Sequence, residues 1–307
     1  MIKTLQISLL IGLLSPLFSV LSEPIKTPNH QTNFYQVSFN TYQAYCFIKI
    51  NGIDYLDNLG SLTGSIATGG PISSILSNGE NRISIEVASL TAPQNLSFTP
   101  DASCKVSIQV YNAKGESFVT SLVATADEKL GPTGVHSPLY QGDKAMGPVT
   151  EQTVKMSVLH QLSRTFIATG LPQWTWTQAT PFEESEQNIQ KLKSKYQELQ
   201  HLFANKNLDE LAKAAYIAMD EQGSVQGYSA KEFWDSFDFK KEFANGASAL
   251  PINWENQSLQ SYLGGRLFRF TDNNGYSPLK LGFNDNESII SYNPYFSLVN
   301  GQIVISR

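Results

Sequence analysis

The side chains able to do chemistry are few and scattered. Histidine carries protons near neutral pH more readily than any other residue, and it stands at His30, His136, His160 and His201. None of the four has a His or Cys partner at ligand spacing, so no zinc-type site is expected. His136 sits in a Gly/Pro-rich stretch and is the one candidate for a base in a loop; His201 falls on a helical stretch as a surface residue. A serine nucleophile wants a Gly-x-Ser-x-Gly elbow. Gly64-Ser65-Ile66-Ala67-Thr68-Gly69-Gly70 is not one, and it lacks the Gly-Lys that closes a phosphate-binding loop. Paired carboxylates would signal glycoside cleavage, but Glu183, Glu184 and Glu186, like Asp209 and Glu210, stand at helix starts, where the helix dipole favours anions. Asp272-Asn273-Asn274-Gly275 and Asn284-Asp285-Asn286-Glu287 carry part of a calcium-loop alternation without its distal Glu, and read as hairpin turns. No catalytic residue, metal ligand or cofactor is expected.

Binding has better candidates. Trp174 and Trp176 lie two apart in Gln173-Trp174-Thr175-Trp176-Thr177, so an extended chain puts both indoles on one face. Such a pair stacks on a sugar ring, anchors a protein interface, or covers a core. Arg266, in Gly264-Gly265-Arg266-Leu267-Phe268-Arg269-Phe270, shares a period-2 face with Phe268 and Phe270. A guanidinium on an apolar face needs an acidic partner, from the chain itself or from a ligand.

The compartment is written at the N-terminus. Met1-Ile2-Lys3-Thr4 supplies one positive charge, an apolar stretch runs from Leu5 to Leu21, and no acid appears before Glu23. This is the pattern of a cleavable export signal spanning 1–22, with the cut expected between Ser22 and Glu23. Ser8, Gly12, Ser15, Pro16 and Ser19 interrupt the stretch, which argues against a membrane span, and no second long apolar run follows. In an exported chain, Cys46 and Cys104 are most simply one disulfide, worth roughly 4 kcal/mol for the loop they close; the alternative is two buried thiols. The formal net charge is −5, with no block of Lys or Arg, so nucleic acid is an unlikely partner.

The elements that hold these residues are β-rich first and mixed later. Phe34 to Asn40 and Ala44 to Ile50 alternate. Asn51-Gly52 forms a hairpin signal, and Arg82 to Val87 is a period-2 strand with Ile83, Ile85 and Val87 on its apolar face. Cys104 to Tyr111 and Ser117 to Ala124 bring the count to at least six strands, the signature of an antiparallel sandwich over 30–127. Residues 128–150, with Gly131-Pro132, Gly134, Gly142 and Gly147-Pro148, read as a linker or long loop. An α+β domain is expected over 151–307, beginning with an alternating patch of Val154, Met156 and Val158 that extends one domain's sheet or the other's. Ile189, Leu192, Tyr196, Leu199 and Phe203 mark an amphipathic helix. Asn207 with Glu210 starts a second helix through Met219, and Ser229 with Glu232 a third. Strands return at Tyr262 to Thr271, Leu279 to Phe283, Ser288 to Tyr292, Phe296 to Val299 and Ile303 to Ser306.

Ile50-Asn51-Gly52, Ile75-Leu76, Gly79, Asn81, Ile83 and Ile85 resemble the corresponding run of jelly-roll or galactose-binding-like β-sandwich modules, over roughly 40 residues of mostly turn chemistry. That resemblance implies a fold rather than a sugar ligand. Helices followed by a meander that closes on Phe296-Ser297-Leu298-Val299-Asn300-Gly301-Gln302-Ile303-Val304-Ile305 resemble the cystatin-like, nuclear-transport-factor-2-like α+β pattern. The reading is an α+β protein of two domains: an N-terminal antiparallel β-sandwich, a helical block, and a C-terminal antiparallel β-meander. The expected function is non-catalytic binding of another envelope or secreted protein in the periplasm or outside the cell, for example immunity-type neutralisation of an envelope-targeted toxin. The alternatives are a carbohydrate- or cell-wall-binding protein and an unrecognised hydrolase.

Overall fold

The computed structural model describes residues 33–127, 131–153, 159–283 and 289–307. The export-type segment 1–22, His30, the patch of Val154, Met156 and Val158, and the Asn284 to Glu287 loop lie outside the described residues. The chain divides into two compact units between Pro172 and Gln173.

The first unit is an antiparallel sandwich. Its strands are β1 (Phe34–Tyr42), β2 (Ala44–Ile50), β3 (Ile53–Asp57), β4 (Ile66–Pro71), β5 (Gly79–Ser89), β6 (Ser103–Asn112), β7 (Gly115–Asp127), β8 (Gly131–Thr133), β9 (Thr150–Thr153) and β10 (His160–Ala168). They form two five-stranded sheets, ordered β4-β1-β6-β7-β8 and β3-β2-β5-β10-β9. Alternation decides which side chains fill the space between them: Val37 and Phe39 from β1, Ile48 and Ile50 from β2, Ile83, Ile85 and Val87 from β5, and Val106 and Ile108 from β6 are all buried. The Cys46–Cys104 disulfide joins β2 to β6, one strand from each sheet, with Cα atoms 6.2 Å apart. At the β2–β3 hairpin, Asn51 and Gly52 take φ of 54° and 82°, as an Asn-Gly turn between twisted strands requires.

The Gly/Pro-rich stretch corrects the expected boundary. β9 and β10 do not open a second domain: β10 pairs with β5 over its whole length, from His160↔Val87 to Ala168↔Gly79. Residues 134–149 are a packed part of the sandwich, held by Arg164, a buried side chain on β10. Its Nε donates to Gly147 O, Nη1 to the Ser121 and Pro138 carbonyls, and Nη2 to the Leu139 and Gly147 carbonyls, at 2.6–3.1 Å. All five guanidinium N–H groups are thereby used. Burial lowers the Arg164 pKa, with Asp143 pulling in the opposite direction.

In the second unit, five helices precede two small sheets. The helices are α1 (Glu186–Ala204), α2 (Leu208–Ala214), α3 (Tyr216–Val225), α4 (Ala230–Asp235) and α5 (Phe239–Ala244). The Asn207 and Ser229 side chains cap α2 and α4, and Ser229 with Glu232 closes a full capping box. The expected second helix is broken at Ala215, which ends α2 and begins α3. Strands β11 (Ser248–Ala249), β14 (Lys280–Gly282) and β15 (Ile289–Ser291) form one sheet. The other has the order β12 (Ser258–Tyr262), β13 (Leu267–Thr271), β16 (Phe296–Val299) and β17 (Gln302–Ile305). The core is aromatic. Tyr196 on α1 is fully buried among Phe270, Phe296 and Trp254, and its hydroxyl accepts the Phe270 N–H at 3.0 Å.

Candidate docking site

The two tryptophans lie inside. Trp174 and Trp176 are 1% and 2% exposed, and the chain between them turns into a short 3-10 helix at Thr175–Gln178 instead of running extended. The Arg307 guanidinium stands 5.1 Å from the Trp174 ring centroid and 6.0 Å from that of Trp176. Arg307 Nη1 pairs with Glu221 Oε2 at 2.5 Å, and the other oxygen of Glu221 accepts the Thr175 N–H and hydroxyl. Burial lowers the Arg307 pKa to about 10, while Glu221 acts to raise it. This cluster ties three segments together and offers no indole face to a ligand.

Arg266 is corrected as well. The run from Tyr262 to Thr271 is not one strand: Leu263, Gly264 and Gly265 turn with φ of 54°, 66° and 85°. Arg266 is consequently exposed just before β13, and the buried arginine is Arg269, on the β13 face opposite Phe268 and Phe270. Its guanidinium lies 4.3 Å from the Tyr295 ring centroid. Burial works to lower the Arg269 pKa, but Tyr295 and Tyr262 outweigh it, and the net direction is upward.

Of the remaining chemistry, one group was missed. His160 is buried, its Nε2 lies 3.2 Å from Glu151 Oε2, and the Tyr140 hydroxyl donates to Glu151 Oε1 at 2.6 Å. That hydrogen bond, then burial, raises the Tyr140 pKa. Glu151 sits opposite Leu162 in the β9–β10 pair, which makes it a diagonal same-face neighbour of His160. A hairpin reading of 150–168 would have found the contact. His136, His201, Glu183, Glu184 and Glu186 are exposed. Asp272 forms a turn: its Oδ1 accepts the Asn274 and Tyr276 N–H groups, and Oδ2 takes Lys280 Nζ at 2.9 Å. Among the described residues no group of His, Cys, Asp and Glu has the arrangement to hold a metal ion.

The most exposed large apolar side chain among the described residues, Leu62, stands at one end of the sandwich. Residues 58–65 link β3 to β4, and residues 90–102 link β5 to β6 at the same end, because Ala44 at the start of β2 pairs with Ser89 at the end of β5. Asn58 locks the first loop. Its Nδ2 donates to Thr41 Oγ1 and to the Ala44 and Gly64 carbonyls, and its Oδ1 accepts the Cys46 N–H at 2.8 Å. β3 ends at Asp57, opposite Phe47. The Asn58 amide thus supplies the rung that the strand no longer offers to Cys46. Gly64, at φ +62°, lies so close to Ala44 that a Cβ there would meet its backbone at 2.8 Å. The Leu59 N–H is capped by Asp57 Oδ1, and the Ser61 and Gly64 N–H groups by the Asn58 and Ser61 carbonyls.

What this locked loop presents is apolar. Leu62 at its tip is 97% exposed and Leu59 57%, with Leu96 on the neighbouring loop and Tyr42 and Ile66 at the strand ends also exposed. The loops are tied together: Gln43 N–H donates to Ser65 Oγ, and Thr99 Oγ1 donates to Gln43 Oε1. No family model and no curated protein matches this chain.

A second surface lies on the other unit. The polar stripe Glu186, Gln190, Lys191, Ser194 and Glu198 of α1 and the hairpin residues Gly301 to Ile303 line an open groove of about 960 Å³. Lys195 within it is paired to Glu198 at 2.8 Å. The groove is shallow and mixed in charge, and it holds nothing comparable to the apolar tip.

Proposed function

We propose that the chain is exported and acts, without catalysis, by binding another protein through the loop end of its sandwich. The observation that carries this is Leu62: a fully exposed leucine on a loop whose backbone is held by a buried amide. A flexible loop can fold an apolar side chain back against its own surface, whereas this one keeps Leu62 and Leu59 in water, an arrangement that gains free energy only when a partner covers them. The 1–22 pattern and the disulfide between the two sheets support export, and among the described residues no helix is long and apolar enough to cross a membrane. The carbohydrate alternative draws on the sandwich and on Trp174 and Trp176, and the burial of the two indoles takes the second part of that support away.

The test is capture from envelope and secreted fractions of the source cells with oxidised residues 23–307 as bait, wild type beside Leu62→Asp. One protein retained near stoichiometry by the wild type and about tenfold less by the variant is the expected result. A partner retained equally by both would remove the loop end from the reading, and no retained protein at all would remove protein binding.

A further inference from the structure

We infer that the partner of the loop end is a protein whose docking surface is an apolar pocket rimmed by Lys and Arg, and that Leu62 enters the pocket while carboxylates around the loops meet the rim. This rests on the protein-binding reading and adds the chemistry of the partner.

The charges carry it. Neither 58–65 nor 90–102 contains a Lys or Arg, while Asp101 lies within the second loop and Asp57 at the base of the first. Asp127, at the end of β7, belongs to the same end, since Thr125 two residues earlier pairs with Ser103 at the start of β6. The β7–β8 and β9–β10 connections also leave the sheets at this end (Asp127↔Gly131 and His160↔Thr153, with His160 opposite Val87). Their sequence adds Glu128, Lys129 and Lys155, so four carboxylates stand against two lysines. Lys105 lies one residue past Cys104 and so on the outer face of its sheet. The chain as a whole carries −5, so the far field has the same sign as the local one. An anionic lipid surface would be repelled by this end, and an acidic protein likewise. A basic rim would be drawn to it, and the apolar tip would hold it once docked: rim charges set the rate of encounter, and the buried anchor sets the rate of escape.

The surface is also pre-shaped. Asn58 spends its hydrogen bonds on Cys46, Thr41, Ala44 and Gly64, so little ordering of the loop remains to be done on binding. The two tips play different parts. Leu62, the more exposed, is the anchor, and Leu59, beside the Asp57 cap, lies at the border between apolar tip and acidic rim.

The experiment places a photoreactive benzoyl-phenylalanine at position 62, and in a second protein at Lys191 in the α1 groove, each as oxidised 23–307 exposed to the envelope and secreted fractions. Cross-linked peptides are mapped, and the captured protein is then purified for kinetics. The expected result is a cross-link from position 62 into an apolar pocket with an excess of Lys and Arg around it. The association rate should fall at least tenfold between about 20 and 500 mM salt. The pair Asp101→Lys and Asp57→Asn should slow association severalfold at low salt and leave dissociation nearly unchanged; Asp57→Asn keeps the Oδ1 that caps Leu59. Leu62→Ser should speed dissociation tenfold or more.

A cross-link into an acidic or charge-free surface, or an association rate that does not fall with salt, overturns the inference and leaves protein binding in place. So does cross-linking from position 191 alone. Vesicles of phosphatidylglycerol and phosphatidylcholine should not bind the protein. Binding to them that is lost in Leu62→Ser would overturn it in favour of a membrane. A bait that captures nothing from either position overturns both readings.

Discussion

Two irregular stretches of the sandwich are each held by one buried polar side chain, and they are held for different ends. Residues 134–149 hang on Arg164, whose guanidinium collects carbonyls from Ser121, Pro138, Leu139 and Gly147. Residues 58–65 hang on Asn58, whose amide joins that loop to the first two strands. The arginine clasp serves the fold: Ser137 bonds back to Val123, and Met146 bridges to Phe166, so the loop lies against a strand of each sheet. The asparagine clasp fixes a loop whose largest side chains, Leu59 and Leu62, point into water. The asparagine clasp also satisfies the buried Cys46 N–H, but the loop that it fixes adds little apolar burial of its own, and this difference supports the proposal that the 58–65 loop docks a partner.

Removing the arginine clasp should cost most. Arg164→Met keeps much of the apolar volume but strands the Pro138 and Leu139 carbonyls and gives up five charge-assisted bonds, for a loss of roughly 3–5 kcal/mol. Urea unfolding of the oxidised protein measures it. A loss under about 1 kcal/mol would mean that the loop finds other donors and that Arg164 is not its clasp. Asn58→Ala should cost roughly 2 kcal/mol, since the Cys46 N–H loses its acceptor in a buried place. Unlike Arg164→Met, it should also weaken partner binding at temperatures where the variant remains folded. Equal binding by Asn58→Ala and wild type would show that rigidity of the 58–65 loop is irrelevant to docking.

The contrast was only partly legible in the sequence, and the reason is distance. The Asn51-Gly52 hairpin, the Ile83–Val87 strand, the Ser229–Glu232 capping box and the choice of Cys46 with Cys104 are set by neighbours or by compartment, and the structure has them as expected. Arg164 acts on residues 17 to 43 positions away, so the breakers at Gly134, Gly142 and Gly147-Pro148 looked like a linker when they line a packed loop. Trp174 and Trp176 cover a core, one of the readings open to them, and the sequence does not show how, because Arg307 and Glu221, which pack against them, are far off in sequence. Arg266 differs for a local reason: Leu263, Gly264 and Gly265, all at positive φ, turn inside the expected Tyr262 to Thr271 strand and move the buried position to Arg269. The loop end did leave a trace. Leu59 and Leu62 stand in Asn58-Leu59-Gly60-Ser61-Leu62-Thr63-Gly64, a turn-rich run in which large apolar residues have no strand or helix face to join.

Acid separates the clasps by a smaller effect. Asp143, which faces Arg164, accepts the Ala145 and Met146 N–H groups at 2.7 and 2.9 Å, and these bonds, the Met146 one first, hold its carboxyl below the usual range. A lowered folded pKa means that its contribution is complete above the unfolded value of about 3.8 and is lost as pH falls through the lower folded one. The asparagine clasp has no proton to gain. Between pH 5 and 2, hydrogen exchange corrected for its intrinsic rate should therefore lose protection at Ala145 and Met146 while Cys46 N–H, held by Asn58, keeps its own. Loss of protection at Cys46 over the same range, with the protein still folded, would break the distinction.

The smallest effect on stability should come from the residue proposed as the binding anchor. Leu62 is almost wholly in solvent, so Leu62→Ser removes no burial and should change the unfolding free energy by less than about 0.5 kcal/mol. Taking an apolar side chain off the surface also lowers self-association, and a concentration series by light scattering separates that from folding. A destabilisation above about 1 kcal/mol would mean that Leu62 packs against the sandwich in solution and that the 58–65 loop closes over its own tip. The comparison would then collapse: both loops would be serving the fold, and the asparagine clasp would need no partner to explain it. A neutral Leu62→Ser beside a costly Asn58→Ala would leave the opposite conclusion, a stiff support whose most prominent side chain contributes nothing to the structure that holds it.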